Sequence, residues 1–90
     1  MTEKQKVLCH KIADYYRTNH QVLKTIEEIP KLQKELVNFV NECGDINNIL
    51  DKLADTCIMI EQMTYCFDTY NIDIPKIIDA KLKYQIERMR

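Results

Sequence analysis

The scarcity of chain-bending residues constrains this sequence more than any other feature. Its ninety residues include one glycine and two prolines. Strands joined by tight turns need more of both residues, so the composition predicts an all-α fold built from long helices. The length allows one domain, spanning residues 1–90. A domain of this size buries a modest core, and partner subunits would stabilise it.

The charge balance argues against two large classes of partner. Thirteen Lys and Arg residues oppose fourteen Asp and Glu residues, which leaves a net charge of −1 and no basic footprint for nucleic acid. The longest apolar run, Cys57 to Ile60, is too short to cross a bilayer. The charged N-terminus lacks the apolar stretch of a signal peptide. We therefore expect a cytoplasmic protein that binds neither nucleic acid nor membrane.

The four cysteines do not form a metal-binding pattern. Cys9, Cys43, Cys57 and Cys66 are widely spaced, and no two of them form a CxxC pair. Cys9 and His10 are neighbours in sequence, but adjacent residues of a helix point in different directions. Structural zinc needs clustered ligands. Reduced and mostly buried thiols are the expectation.

Capping residues divide the chain into four helices. Thr2 with Gln5 predicts a capping box at the start of the first helix, which we expect to end near Arg17. The second helix runs from about residue 20 to residue 42. Pro30 lies in its middle, so this segment is either kinked or two separate helices.

Capping and turn residues also predict the ends of the third and fourth helices. Gly44 suits the left-handed position after a helix end, and Asp45 caps a third helix over about residues 46–70. That helix is apolar on more than one face, which in so short a chain implies a partner subunit. A turn over residues 71–73 precedes the last helix, which Asp73 caps and Pro75 begins.

In each of two segments, an acidic residue and the residue three positions away lie on the same face of the helix. The segments run over residues 27–36 and 51–62. At these positions the chain resembles the MazG-like nucleoside triphosphate pyrophosphohydrolases, in the short form common in phages and Firmicutes. The resemblance covers residues 15–88. It rests on the stretch from Leu53 to Gln62, on the spacing between the segments, and on the ending KLKYQIER at residues 81–88.

The resemblance implies a fold, a cofactor and a reaction. The fold is a four-helix bundle that assembles into a dimer or tetramer. The family motif is ExxE on one helix and ExxD on the next, and its four carboxylates hold Mg²⁺. The ion prefers hard oxygen ligands, binds the triphosphate and activates the attacking water. The products are a nucleoside monophosphate and pyrophosphate.

This chain departs from the motif at two of its four positions. Glu28 and Asp55 match, but Lys31 and Lys52 stand where the family has carboxylates. An ammonium group has no lone pair and cannot bind Mg²⁺. Glu27 and Asp51 offer carboxylates one residue away, about 100° around each helix. With Glu28 and Asp55 they could hold one weakly bound ion but not a complete multi-ion site.

The same departure creates a candidate anion site. Lysines facing the pocket would hold phosphate as point charges without metal, or they would simply form i,i+3 pairs with the matched acids. In relatives, late basic positions face the phosphates and residues before the first motif contact the base. The alternatives here are a basic helix end and surface or capping roles. The complete set of candidate ligand-binding residues is Lys24, Glu28, Lys31, Lys52, Asp55, Lys81 and Arg88, with His20 and Gln21 beside Lys24.

Three functional hypotheses follow from these residues. The first is a catalytically inactive nucleotide-binding protein that needs no cofactor, such as a phage decoy that sequesters nucleotides or nucleotide immune signals. The second is an active, Mg²⁺-dependent pyrophosphohydrolase that uses Glu27, Glu28, Asp51 and Asp55. The third is a helical protein-interaction module with a vestigial pocket.

Overall fold

A computed structural model describes residues 1–70 and 73–89. Four α-helices account for most of this span, and no strand occurs within it. They are α1 (Glu3–Tyr16), α2 (Thr18–Val40), α3 (Ile46–Phe67) and α4 (Ile74–Arg88), with one 3₁₀ turn at Asp68–Tyr70. The predicted all-α class and the predicted number of helices are confirmed. The turn predicted at residues 71–73 lies largely outside the described residues.

The first two helices are separated by a single residue. The predicted capping box is present, because Thr2 and Gln5 exchange side-chain to backbone hydrogen bonds. Arg17 then joins α1 to α2 with φ 71° and ψ 166°. Thr18 begins α2 without any side-chain cap, two residues earlier than expected. The link is tight because the Arg17 amide donates to the Ala13 carbonyl at 2.8 Å.

Helix α2 continues through Pro30 as one element, so the alternative of two separate helices is wrong. The chain then turns over residues 41–45. The left-handed residue of this turn is Glu42, with φ 61°, and not Gly44. Gly44 is needed for a different reason: a Cβ atom there would lie 2.7 Å from the Phe39 backbone nitrogen. The turn therefore needs glycine for close approach of two backbone segments.

The N-termini of the last two helices form as predicted. The Asp45 carboxylate accepts a hydrogen bond from the Asn47 amide at 2.8 Å, and α3 begins one residue after the cap. The Asp73 carboxylate accepts from the Lys76 amide at 3.0 Å, and Pro75 lies in the first turn of α4. Each cap satisfies an amide that has no partner within the helix.

Helices α1, α2 and α3 form one packed unit. Contacts between Gln21 and Gln62 and between Thr25 and Met59 show that α2 and α3 are antiparallel. Contacts of residues 10 and 14 with residues 61 and 65 show that α1 and α3 are parallel. Within the described residues α4 makes only marginal contact with this unit. No side chain of α4 is buried.

The single chain buries very little apolar surface. Its buried hydrophobic residues are Cys9, Ala13 and Met59. The accessible surface is 7576 Å², whereas a compact monomer of 10.7 kDa exposes about 5,500 Å². The radius of gyration is 15.5 Å, against about 12 Å for a compact domain of this length. The protomer is therefore open, and most of its apolar stripes face outward.

Candidate functional site

Residues spaced alternately by four and three positions form the facing surfaces of α2 and α3. Gln21, Thr25 and Glu28 lie on one face of α2, and Asp55, Met59 and Gln62 lie on one face of α3. Since the helices are antiparallel, Gln21 meets Gln62 and Thr25 meets Met59. This register brings Glu28 to the level of Asp55.

A small cavity lies at the Glu28–Asp55 level. Its volume is about 160 Å³, and Lys24, Glu28, Asp55, Ile58 and Met59 line it. The Glu28 side chain is 12% exposed, which is low for a carboxylate. The structure thus brings together three candidates from the sequence, Lys24, Glu28 and Asp55, in one cavity between two helices.

Lysine side chains neutralise the carboxylates at this cavity. The Lys31 ammonium lies 3.1 Å from Glu28, and the Lys52 ammonium lies 3.8 Å from Asp55 and 3.4 Å from Asp51. Both i,i+3 pairs that the sequence allows are formed. Lys31 is the more exposed of the two, at 53% against 30% for Lys52. Each ammonium has three donors, so donors remain for an additional anion.

The Lys52 ammonium is held in its charged form. A hydrogen bond and the charge of Asp51 raise the pKa of Lys52 above its ordinary value, and the charges of Asp55 and Glu28 add to this rise. Desolvation lowers the pKa of Lys52 by more than either Asp55 or Glu28 raises it. The smallest contribution, that of Glu28, comes from the neighbouring helix, so Glu28 acts electrostatically on Lys52 across the helix pair.

The neighbouring acids point elsewhere. Glu27 is 65% exposed and pairs with Lys24 at 3.9 Å, and Asp51 is 69% exposed. In the part of the chain that the structure describes, no three His, Cys, Asp or Glu side chains converge on a point that could hold a metal ion. Two carboxylates that already bear ammonium partners do not fit the four-carboxylate magnesium site of the family.

A buried amide layer lies one helical turn from the cavity. Gln21 is 3% exposed and Gln62 is 1% exposed, and Gln21 Nε2 donates to Gln62 Oε1 at 2.5 Å. The Thr25 hydroxyl donates to the Gln21 carbonyl at 2.7 Å and contacts the Met59 sulfur. Gln62 Nε2 has no hydrogen-bond partner among the residues that the structure describes. The surface role expected for Gln21 is wrong, because the antiparallel register turns it into the core.

His20 connects this layer to the surface. Its Nδ1 lies 2.7 Å from Gln21 Oε1, and its ring stacks on Tyr16 with centroids 4.6 Å apart. Sequence reasoning missed Gln62 entirely. The signal that could have found the layer is the spacing of seven, since Gln21 precedes Glu28 and Gln62 follows Asp55 by two turns.

Lys81 and Arg88 lie apart from the cavity. They line a shallow depression on α4 with Tyr84, and the Arg88 guanidinium lies 5.7 Å from the centre of the Tyr84 ring. Because α4 does not pack on α2 or α3 in this chain, these two candidates are not brought to Glu28 and Asp55.

A second polar cluster joins α1 to α3. His10 Nε2 lies 2.7 Å from Glu61, and its ring stacks on Tyr65 with centroids 4.1 Å apart. The Tyr65 hydroxyl donates to Asp14 at 2.7 Å, and this hydrogen bond raises the pKa of Tyr65. The cluster fixes the rotation of α1 on α3 and contributes nothing to the cavity.

The cysteines are more exposed than predicted. Cys9 is buried, and burial followed by the Glu61 charge raises the pKa of its thiol. Cys43 and Cys57 are exposed, so mostly buried thiols are a wrong expectation for this chain. Four tyrosines are also exposed in the single chain: Tyr15, Tyr16, Tyr70 and Tyr84.

Comparison with known proteins adds no identification. No family model, curated protein or solved structure matches this chain. Among the helices of residues 1–70 and 73–89, none is both long and apolar enough to cross a membrane.

Proposed function

We propose that this chain is a catalytically inactive, MazG-like nucleotide-binding protein whose lysines contact phosphate groups without metal. The observation that carries the proposal is the cavity between α2 and α3. Glu28 and Asp55 line it, and the ammonium groups of Lys31 and Lys52 neutralise both carboxylates. A carboxylate cluster without metal would repel a polyphosphate, whereas this arrangement leaves a near-neutral cavity with free ammonium donors.

The size of the cavity limits what it can hold. Small-molecule pockets typically enclose about 300–1,000 Å³, and this cavity encloses about 160 Å³. It fits the phosphate end of a ligand and not a whole nucleotide. The sugar and base would lie along the outer surface of α2 and α3, or against a second copy of the chain.

Calorimetry in EDTA tests the proposal. Titration with dATP and with inorganic triphosphate should show binding that does not require a divalent ion. The double variant Lys31→Glu, Lys52→Glu restores the four-carboxylate pattern, and it should weaken metal-free binding by tenfold or more. Lys34→Glu is the matched control for one charge reversal on α2, and its effect should stay below about threefold because Lys34, unlike Lys31 and Lys52, forms no ion pair with Glu28 or Asp55.

Two results would overturn the proposal. Binding that appears only with Mg²⁺ would show that the carboxylates and not the lysines hold the ligand. Release of pyrophosphate from any nucleoside triphosphate, abolished by Asp55→Ala, would establish the active enzyme instead. A loss with Lys34→Glu as large as with the double variant would reduce the effect to general surface charge.

A further inference from the structure

An apolar groove runs between α1 and α3. It encloses about 410 Å³, and its walls include Leu8 and Ile12 from α1 and Cys57 and Ile58 from α3. Leu8 is 49% exposed and Ile12 is 43% exposed, so the groove is open to solvent in the single chain. Nothing in the described residues covers it.

Helix α4 carries an apolar stripe that has no partner in its own chain. Ile78, Leu82 and Ile86 repeat every four residues and are 48%, 52% and 55% exposed. An isolated helix of fifteen residues is marginal in water, even with good caps. The stripe therefore needs a surface on which to pack.

The groove matches this stripe in chemistry and length. Since α1 and α3 are parallel, a helix antiparallel to both would complete an up-and-down four-helix bundle. The helical α1 wall of the groove runs from Gln5 to Ile12, about 11 Å, and the stripe from Ile78 to Ile86 spans about 12 Å. Helix α4 of the same chain lies outside the groove and makes only marginal contact with α1–α3.

We propose that two copies of this chain exchange α4, so that the α4 stripe of each copy fills the α1–α3 groove of the other. Only three residues separate Tyr70 from Ile74, and short connections favour exchange between chains over closure within one chain. This inference concerns assembly and does not depend on nucleotide binding.

The exposed area agrees with an obligate dimer. The chain exposes 7576 Å², about 2,000 Å² more than a compact monomer of its mass. Covering that excess on both copies would bury about 4,000 Å² in total, within the range of about 2,000–5,000 Å² for obligate homodimers. A weak or transient contact would bury much less.

Chemical crosslinking tests the exchange directly. Cys57 lies exposed in the groove, and Leu82 lies in the middle of the stripe, so the two meet whichever way α4 runs. In the variant Cys43→Ser, Cys66→Ser, Leu82→Cys, a bismaleimide should convert most of the protein to a covalent dimer on a denaturing gel. The control variant carries Lys83→Cys instead of Leu82→Cys, which moves the thiol to the polar face of α4. Its dimer band should be at least fivefold weaker.

The outcome that contradicts exchange is equally clear. A crosslink within one chain would show that α4 closes onto its own groove. No crosslink at either position would show that α4 does not occupy the groove.

A second measurement protects the test against a misfolded cysteine variant. By light scattering, the unmodified chain should have twice the mass of 10.7 kDa. Ile78→Asp should raise the dissociation constant at least a hundredfold, while Lys83→Asp should change it less than threefold. At a concentration above both dissociation constants, both variants should keep the helical signal in circular dichroism. If light scattering shows that the unmodified chain is monomeric at micromolar concentration, the proposal is overturned.

Discussion

Arg17 adopts a backbone conformation that side chains normally avoid. Its φ of 71° and ψ of 166° fall in a region occupied almost only by glycine. Strain of this type costs about 1–3 kcal/mol and persists only where surrounding structure imposes it. Here α1 and α2 impose it, because the Arg17 amide donates to Ala13 and the Arg17 carbonyl accepts from Gln21.

Replacing Arg17 with glycine should therefore stabilise the protein. Arg17→Gly removes the Cβ that causes the strain, and the gain should be about 1 kcal/mol after the greater freedom of glycine in the unfolded chain is subtracted. Urea unfolding at fixed protein concentration measures the change. Arg17→Ala is the control, since it keeps the Cβ atom and should give no gain. Equal effects of the two variants would show that the backbone is relaxed.

The buried amide pair should show strong non-additivity. Gln62→Met leaves the Gln21 amide without its acceptor, and Gln21→Met leaves Gln62 without its donor. Each single change should cost about 1–3 kcal/mol, because a buried polar group loses its partner. The double variant removes both groups and the unpaired Gln62 Nε2 as well, so it should be close to neutral.

Unfolding of the four members of this cycle gives the coupling energy directly. Simple addition of the two single effects would mean that water already satisfies each amide on its own. His20 should tolerate all three variants, because it is exposed and can bond water in place of Gln21.

At the residue scale, the sequence identified the charged residues of the cavity better than it identified which polar residues are buried. Lys24, Glu28 and Asp55, which the resemblance to the MazG-like family implied as candidates, line one cavity. Gln21 and Gln62 did not stand out, because glutamine is usually exposed and its burial depends on the helix that faces it. Only the antiparallel register of α2 and α3 decides that.

At the scale of the helix, boundaries were predictable where local chemistry sets them. The capping box at Thr2, the Asp45 and Asp73 caps, and Pro75 in a first turn all form as the sequence indicates. Local hydrogen bonds determine these ends, so no tertiary information is needed. Pro30 was ambiguous because packing of α2 on α3 can outweigh one missing backbone hydrogen bond.

The turn after α2 shows how a correct residue can be assigned a wrong role. Gly44 does not take positive φ; Glu42 does. Gly44→Ala should destabilise the protein by about 1–3 kcal/mol, because the new methyl group would meet backbone atoms of Phe39 that cannot move aside. Glu42→Gly should instead stabilise it by up to about 1 kcal/mol, since it relieves a left-handed side chain.

Chemical denaturation of both variants separates the two roles. Cys43→Ala lies between them, is exposed, and should change the free energy of unfolding by less than about 0.5 kcal/mol. A neutral Gly44→Ala would show that the turn opens to admit the methyl group.

For the whole molecule, the apolar pattern predicted more burial than one chain provides. Apolar residues repeat at helical spacing along α2, α3 and α4, but Ile26, Leu36 and Leu82 are 61%, 46% and 52% exposed. Periodicity identifies which face of a helix is apolar, and it cannot say whether the same chain or another covers that face. In the sequence, the over-apolar third helix, the small size of the domain and the resemblance to the MazG-like family indicated a partner subunit.

An open protomer of this kind should owe much of its stability to association. With Cys9, Ala13 and Met59 as its buried hydrophobic residues, the single chain has too small a core to offset the entropy of ordering ninety residues. Unfolding should then be coupled to dissociation, and a hundredfold rise in protein concentration should stabilise the native state by about 2.7 kcal/mol. For a dimer of this size the thermal midpoint should rise on the order of 5–10 °C.

Scanning calorimetry at about 5 μM and about 500 μM protein, a hundredfold range, measures this shift. Lys83→Asp should keep the midpoint of the unmodified chain, and Ile78→Asp should lower it at every concentration, because only Ile78 lies on the stripe. A midpoint that stays constant over this range would mean that the three-helix unit is stable by itself and that its apolar faces serve a partner other than this chain.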